Sequence, residues 1–209
     1  MRTRVKICGI TNEADLQAAV SAGADAIGLI MHEKSPRYVD LDLAAALAKA
    51  VPPLVTVVGL FADSDAEAVR AALSRVPFDL LQFQGDESPG FCGSFSCRYI
   101  KALRVAPDLD LSAAVAAYAE SSGILLDAWV KGAYGGTGVA LDWGSLPVLP
   151  VPVVLAGGLT PDNVGQAIRT VNPWGVDVCS GVEASPGLKD SQKLEAFVAA
   201  VGAADEELS

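Results

Sequence analysis

Histidine is nearly missing from this chain, with one copy in 209 residues, and the four cysteines show no CxxC spacing. A cysteine/histidine zinc site is therefore not expected. Cys8, Cys92, Cys97 and Cys179 read as reduced thiols of a cytoplasmic protein, with Cys92 and Cys97 as structural residues. Cationic residues are also scarce, 15 against 25 acidic ones, and the net charge of −10 argues against general nucleic-acid binding. It leaves room for a small anionic ligand, because a few local cations and N–H donors outweigh a remote field. Long apolar runs are lacking too. The longest, "LPVLPVPVVLAGGL", is too short and too proline-rich to span a bilayer, and "MRTRVKICGIT" has no apolar core of a secretory signal.

What is present is apolar: 51% hydrophobic and 19% charged residues, a composition that can form a sizeable core. Eight short apolar runs recur: "VKIC", "AIGLI", "LVTVVGLF", "DLLQF", "YIKAL", "GILLD", "VPVVLA" and "GVDV". Alanine-rich stretches of helical spacing separate most of them. This alternation predicts parallel strands joined by right-handed crossovers. Eight strands in 209 residues match a compact (β/α)8 barrel of the α/β class, near the lower limit of roughly 200 residues. An open doubly wound sheet is the rival, and the strand count and the missing GxGxxG after the first strand favour the barrel. No linker or composition break divides the chain, so residues 1–209 are read as a single domain.

Helix starts are marked as well. "SDAE" at Ser64–Glu67 reads as a capping box, and "TPDN" at Thr160–Asn163 as an N-cap threonine followed by a first-turn proline. Thr11 or Asn12 opens the first helix, whose apolar stripe is Leu16, Ala19 and Val20. After the fourth strand "GDESPGFCGSFS" leaves room only for a short helix.

In such a barrel, functional groups sit at the C-terminal strand ends, and residues two apart share a face. If Val5 and Ile7 face the helices, Lys6 and Cys8 point inward, with Cys8 at the strand end. In "GILLDAW", Leu125 and Asp127 point inward and Asp127 ends the strand. Cys8 and Asp127 thus become a candidate pair at one mouth. Each has another reading: Cys8 as a small buried apolar residue, Asp127 as a cap on the following loop. An inward Lys6 needs a counter-charge, and Asp177 in "GVDVCS" can supply it across the closing seam. The lysine would then also raise the thiolate fraction of Cys8.

The loops carry further signals. "AGGLTPDN" follows strand seven and "SGVEASPG" strand eight, the two places where barrels often bind phosphate through backbone N–H groups. "GAYGGTG", residues 132–138, reads as a lid, an anion cradle or a plain flexible loop. In "SPR", Arg37 is either a carboxylate clamp or a solvated surface arginine. His32 is read as a loop residue.

"VKICGIT", "SPR", "ILLDAWVKGAYGGTG", "LDW", "LAGGLTPDNV" and "VDVCSGVEASPGLKD" occur in this order over nearly the whole chain. Together they resemble the phosphoribosylanthranilate isomerase family of tryptophan biosynthesis. The resemblance implies a barrel without metal or organic cofactor that carries out an Amadori rearrangement of a phosphorylated small molecule. It implies Cys8 as general base, Asp127 as general acid and Arg37 on the anthranilate side. It places the phosphate on backbone N–H groups around Gly157, Gly158, Ser180 and Gly181. Two departures stand out: Gln84 in "FQG", where the family often has "LHG", and Val139 after "GGTG", where a lysine is common. Both are expected to lie away from the acid and the base. The alternatives are another sugar-phosphate isomerase or epimerase, and a non-catalytic phosphate-binding barrel. Monomer and homodimer both remain open.

Overall fold

The computed structural model describes residues 2–128 and 141–208. Eight parallel strands close into a barrel in chain order: β1 (Arg4–Cys8), β2 (Ala26–Ile30), β3 (Thr56–Phe61), β4 (Leu80–Phe83), β5 (Tyr99–Val105), β6 (Ile124–Ala128), β7 (Val153–Leu155) and β8 (Gly175–Val178). Each of the eight apolar runs overlaps one of them, with ends agreeing to within two residues. The strands are buried on both faces, which is why they read as continuous apolar stretches rather than alternating ones.

Helices α1 (Glu13–Ala22), α2 (Leu41–Ala50), α3 (Ala66–Arg75), α4 (Pro89–Cys92), α5 (Leu111–Ala117), α6 (Val164–Val171) and α7 (Ser191–Glu207) surround the barrel. Four residues make up α4, the short helix expected there. The "GAYGGTG" segment and Val139 lie outside the described residues.

Two layers of core follow from the strand register. Val5, Ile7, Ile27, Leu29, Ile124 and Leu126 pack outward against Leu16, Leu47, Val69, Ile168, Leu194 and Phe197. Inside the barrel, Ile100, Ala102, Leu125 and Ala156 form one cluster, and Cys8, Ile30 and Leu60 another. The inward assignment of Cys8 and Leu125 is therefore observed, and Asp127 follows from the same alternation.

Two helix starts differ from expectation. Asp65, not Ser64, caps α3, its carboxylate accepting from the Ala68 N–H at 2.7 Å. The helix after β7 begins at Val164 rather than inside "TPDN". There the Asn163 side chain closes a turn instead, accepting from the Thr160 N–H at 2.8 Å and donating to the Gly158 carbonyl at 2.9 Å. Asn and Thr both serve caps and local turns, and short-range sequence does not separate the two uses. Asn12 caps α1 as expected, accepting from the Asp15 N–H at 2.9 Å.

The chain ends meet across the barrel. Thr3 bonds Asp205 of α7 through its N–H at 2.7 Å and its hydroxyl at 2.6 Å. The short hairpin β9 (Glu183–Ser185) and β10 (Leu188–Lys189) links β8 to α7. It is tied to α1 by the Lys189 N–H on Asp15, 2.8 Å away.

Candidate active site

A cavity of about 460 Å³ opens at the C-terminal end of the barrel. All seven residues singled out for binding or chemistry line it: Cys8, Arg37, Asp127, Gly157, Gly158, Ser180 and Gly181. Its size falls in the range of small-molecule sites, ~300–1,000 Å³.

Closure of β8 on β1 sets the electrostatics around Cys8. Lys6 stands opposite Asp177 in the strand register, and its ammonium meets the carboxylate at 2.7 Å with both groups buried. Burial alone would lower the lysine's pKa, but the Asp177 charge overrides it, and the ammonium is held firmly in its charged form. Cys8, two residues along and also buried, is lowered from 9.0 to about 7. The neighbouring Cys179 thiol is the largest influence, burial opposes it, and the Lys6 charge adds to the lowering. Cys179, beside Cys8 and itself desolvated, is pushed well above the ordinary thiol range. Lys6 thus acts as expected, but the stronger influence is a cysteine to which sequence reasoning assigned no role. Its position two residues after Asp177, on the same face, was the available signal.

Gly28 of β2 makes space for the thiol. A β-carbon there would lie 2.8 Å from the Cys8 sulfur and 3.2 Å from the Lys6 nitrogen. The first contact is closer than packed atoms tolerate, and the second is tight.

Asp127, the penultimate residue of β6, lies on the cavity wall and is shifted the other way, from 3.8 up to about 6. Burial is the main cause and the Asp177 charge adds to it. Hydrogen bonds from the Ala128 N–H at 2.8 Å and the Gln84 amide at 3.0 Å hold the shift in check, together with Lys6. Gln84 was expected to lie away from the acid, and it contacts it directly. The residue directly follows β4, two strands from β6 around the barrel, and only the folded barrel brings the two side chains together.

Arg37 is on the wall, but its two-pronged edge is engaged within the protein. Nε and Nη2 donate to the two oxygens of Glu183, each at 2.7 Å. Lys189 donates to the same carboxylate at 3.1 Å and to the Cys179 carbonyl at 3.1 Å. Glu183 is lowered below its usual range: burial opposes this, and the Arg37 and Lys189 contacts outweigh it. Two cations against one carboxylate leave this corner with a net positive charge. Glu183 and Lys189 belong to "SGVEASPGLKD", which carried the resemblance but gave neither residue a role.

Beyond this corner lie the expected phosphate loops. Gly157 and Gly158 have φ of +82° and +65°, left-handed values that other residues rarely adopt. Asn163 pins the carbonyl of Gly158 from below. Ser180–Val182 is a 3-10 turn whose first residues have no side-chain cap, an arrangement that leaves backbone N–H groups to a ligand. Among the described residues no cluster of histidine, cysteine, aspartate or glutamate is suited to a metal ion.

Comparison with known proteins agrees with this geometry. The family model described as N-(5'-phosphoribosyl)anthranilate (PRA) isomerase matches residues 5–200. The N-(5'-phosphoribosyl)anthranilate isomerase of Thiobacillus denitrificans is 55% identical over 199 residues, covering 95% of this chain and 97% of that protein. The crystal structure of the Thermotoga maritima phosphoribosyl anthranilate isomerase superposes with a TM-score of 0.88 at 36% identity, over 96% of this chain and 99% of that one. A structure of such an isomerase in complex with reduced 1-(o-carboxyphenylamino)-1-deoxyribulose 5-phosphate gives 0.84 at 36% identity, with the same coverage. With the match running from the first barrel strand into the last helix, the chain belongs to the phosphoribosylanthranilate isomerase family.

Proposed function

We propose that the chain converts N-(5-phosphoribosyl)anthranilate into 1-(2-carboxyphenylamino)-1-deoxyribulose 5-phosphate, with Asp127 as general acid and Cys8 as general base. The observation that carries this is one cavity holding a thiol lowered to about 7 and a carboxyl raised to about 6. Each group is moved toward neutrality from its own side, as proton transfer in both directions near pH 7 requires.

Asp127 donates its proton to the furanose ring oxygen as the C1'–O bond breaks, and the anthranilate nitrogen's lone pair forms the Schiff base. That cation makes the C2' proton acidic, and the Cys8 thiolate removes it. The resulting enolamine tautomerises to the ketone, so the reaction is an isomerisation with no net redox change. Substrate phosphate is held by the loops of Gly157, Gly158, Ser180 and Gly181, next to the positive corner of Arg37 and Lys189. Arg37 acts on the anthranilate carboxylate chiefly through its charge, because its fork is occupied by Glu183.

A fluorescence assay of the anthranilate-linked substrate tests this. Cys8→Ala and Asp127→Asn are each expected to lose at least ~100-fold in kcat/KM, the lower range for acid–base groups. Near-normal turnover by either folded variant rejects its assignment.

A further inference from the structure

The acid does not stand alone on the cavity wall. Two glutamine side chains, both buried, lead to it from β4. The Gln82 amide nitrogen donates to the Gln84 carbonyl oxygen at 2.8 Å, and the Gln84 nitrogen donates to Asp127 Oδ2 at 3.0 Å. The other carboxyl oxygen, Oδ1, accepts from the Ala128 N–H. Both ends of the carboxyl are therefore gripped.

The relay has a direction. Because Gln84 accepts from Gln82, its amide is locked with nitrogen toward the acid, which is the orientation a carboxylate requires. At the far end, Gln82 Oε1 is buried and has no hydrogen-bond partner among the described residues.

We propose that Gln84, braced by Gln82, is a positioning residue for the general acid, fixing the plane of the Asp127 carboxyl and stabilising its charged form after proton transfer. The inference rests on the reading of Asp127 as the acid. A carboxyl torsion is otherwise broad and two-fold, so donors on both oxygens are what define its aim. Asp127 also feels Asp177 from β8, which disfavours its charge, and Lys6 from β1, which favours it. Glutamine does not titrate, so it supplies this support equally at all pH values.

The test is a carbon-13 NMR titration of aspartate-labelled protein, with the Asp127 resonance assigned through Asp127→Asn, run beside steady-state kinetics. Gln84→Met and Gln84→Leu both remove the donor, by different shapes, and both should raise the Asp127 midpoint by at least about 0.5 in pH. They should lower kcat by ~10-fold or more with KM changed less than ~3-fold. Gln82→Met should act in the same direction but more weakly. The Gln82→Met/Gln84→Met protein should match Gln84→Met alone, because Gln82 acts only through its neighbour. An unmoved midpoint in the folded Gln84 variants, or additive effects in the double variant, overturns the proposal. Full activity in Asp127→Asn would instead sink the acid assignment, and the titration would still decide whether the relay exists.

Discussion

Lys6 and Asp177 face each other across the seam where β8 closes on β1, their charged ends 2.7 Å apart and nearly sealed from water. One contact joins barrel closure to the chemistry of Cys8. Removing one partner of a buried pair leaves an uncompensated charge, so Lys6→Met is expected to destabilise the protein by ~3–5 kcal/mol. The double variant Lys6→Met/Asp177→Leu should recover most of that in urea unfolding. Its Cys8 thiol should still titrate higher than in the parent, as followed by the rate of alkylation against pH. Unchanged stability in Lys6→Met would mean that the pair does not support the fold.

The pH–rate profile should be a narrow bell. With the roles proposed above, Cys8 works deprotonated, so activity rises with pH through about 7, and Asp127 works protonated, so activity falls above about 6. The two values lie in reverse order, and at pH 6.5 roughly one molecule in twenty carries both groups in working form. The apparent value on the rising side belongs to the Cys8 and Cys179 thiols together rather than to one residue. A flat profile from pH 6 to 9 would contradict the pairing.

Asp127 also bears on stability. A carboxyl whose folded pKa is raised loses folding free energy as pH climbs from its ordinary 3.8 through about 6. Above that, the loss approaches ~3 kcal/mol. Asp127→Asn should therefore melt higher than the parent at pH 8, with the difference disappearing toward pH 4, while turnover is lost. Thermal unfolding at the two pH values checks the sign. A lower melting temperature at pH 8 would refute it.

Gly28→Ala is expected to displace the Cys8 sulfur, since the new methyl would sit 2.8 Å from it. Misplacement of a reacting group by about 1 Å costs on the order of 100-fold in rate. Overpacking should cost ~1–3 kcal/mol. Kinetics on the folded variant would show a fall in kcat with phosphate-analogue binding preserved. Parent-like turnover would show that the thiol's position is not critical.

Much of this was legible in the chain. Buried parallel strands are written as short apolar runs, and the two-residue period of a strand puts Lys6, Cys8, Asp127 and Asp177 on inner faces without coordinates. What was not legible depends on contacts between distant segments. Arg37 looks like an open fork until Glu183, 146 residues away, fills it. Gln84 looks remote from the acid until the barrel closes, and Cys179 looks inert until it lies beside Cys8. The caps failed for a local reason: Ser64 and Asp65 are adjacent residues of the same capping type, and only backbone geometry separates them.

Lys6 and Asp177 are 171 positions apart. Cys8 stands near the start of the sequence, whereas Asp177, the counter-ion of Lys6, and the neighbouring Cys179 stand near its far end, so the surroundings of this sulfur are assembled only when the last strand docks on the first.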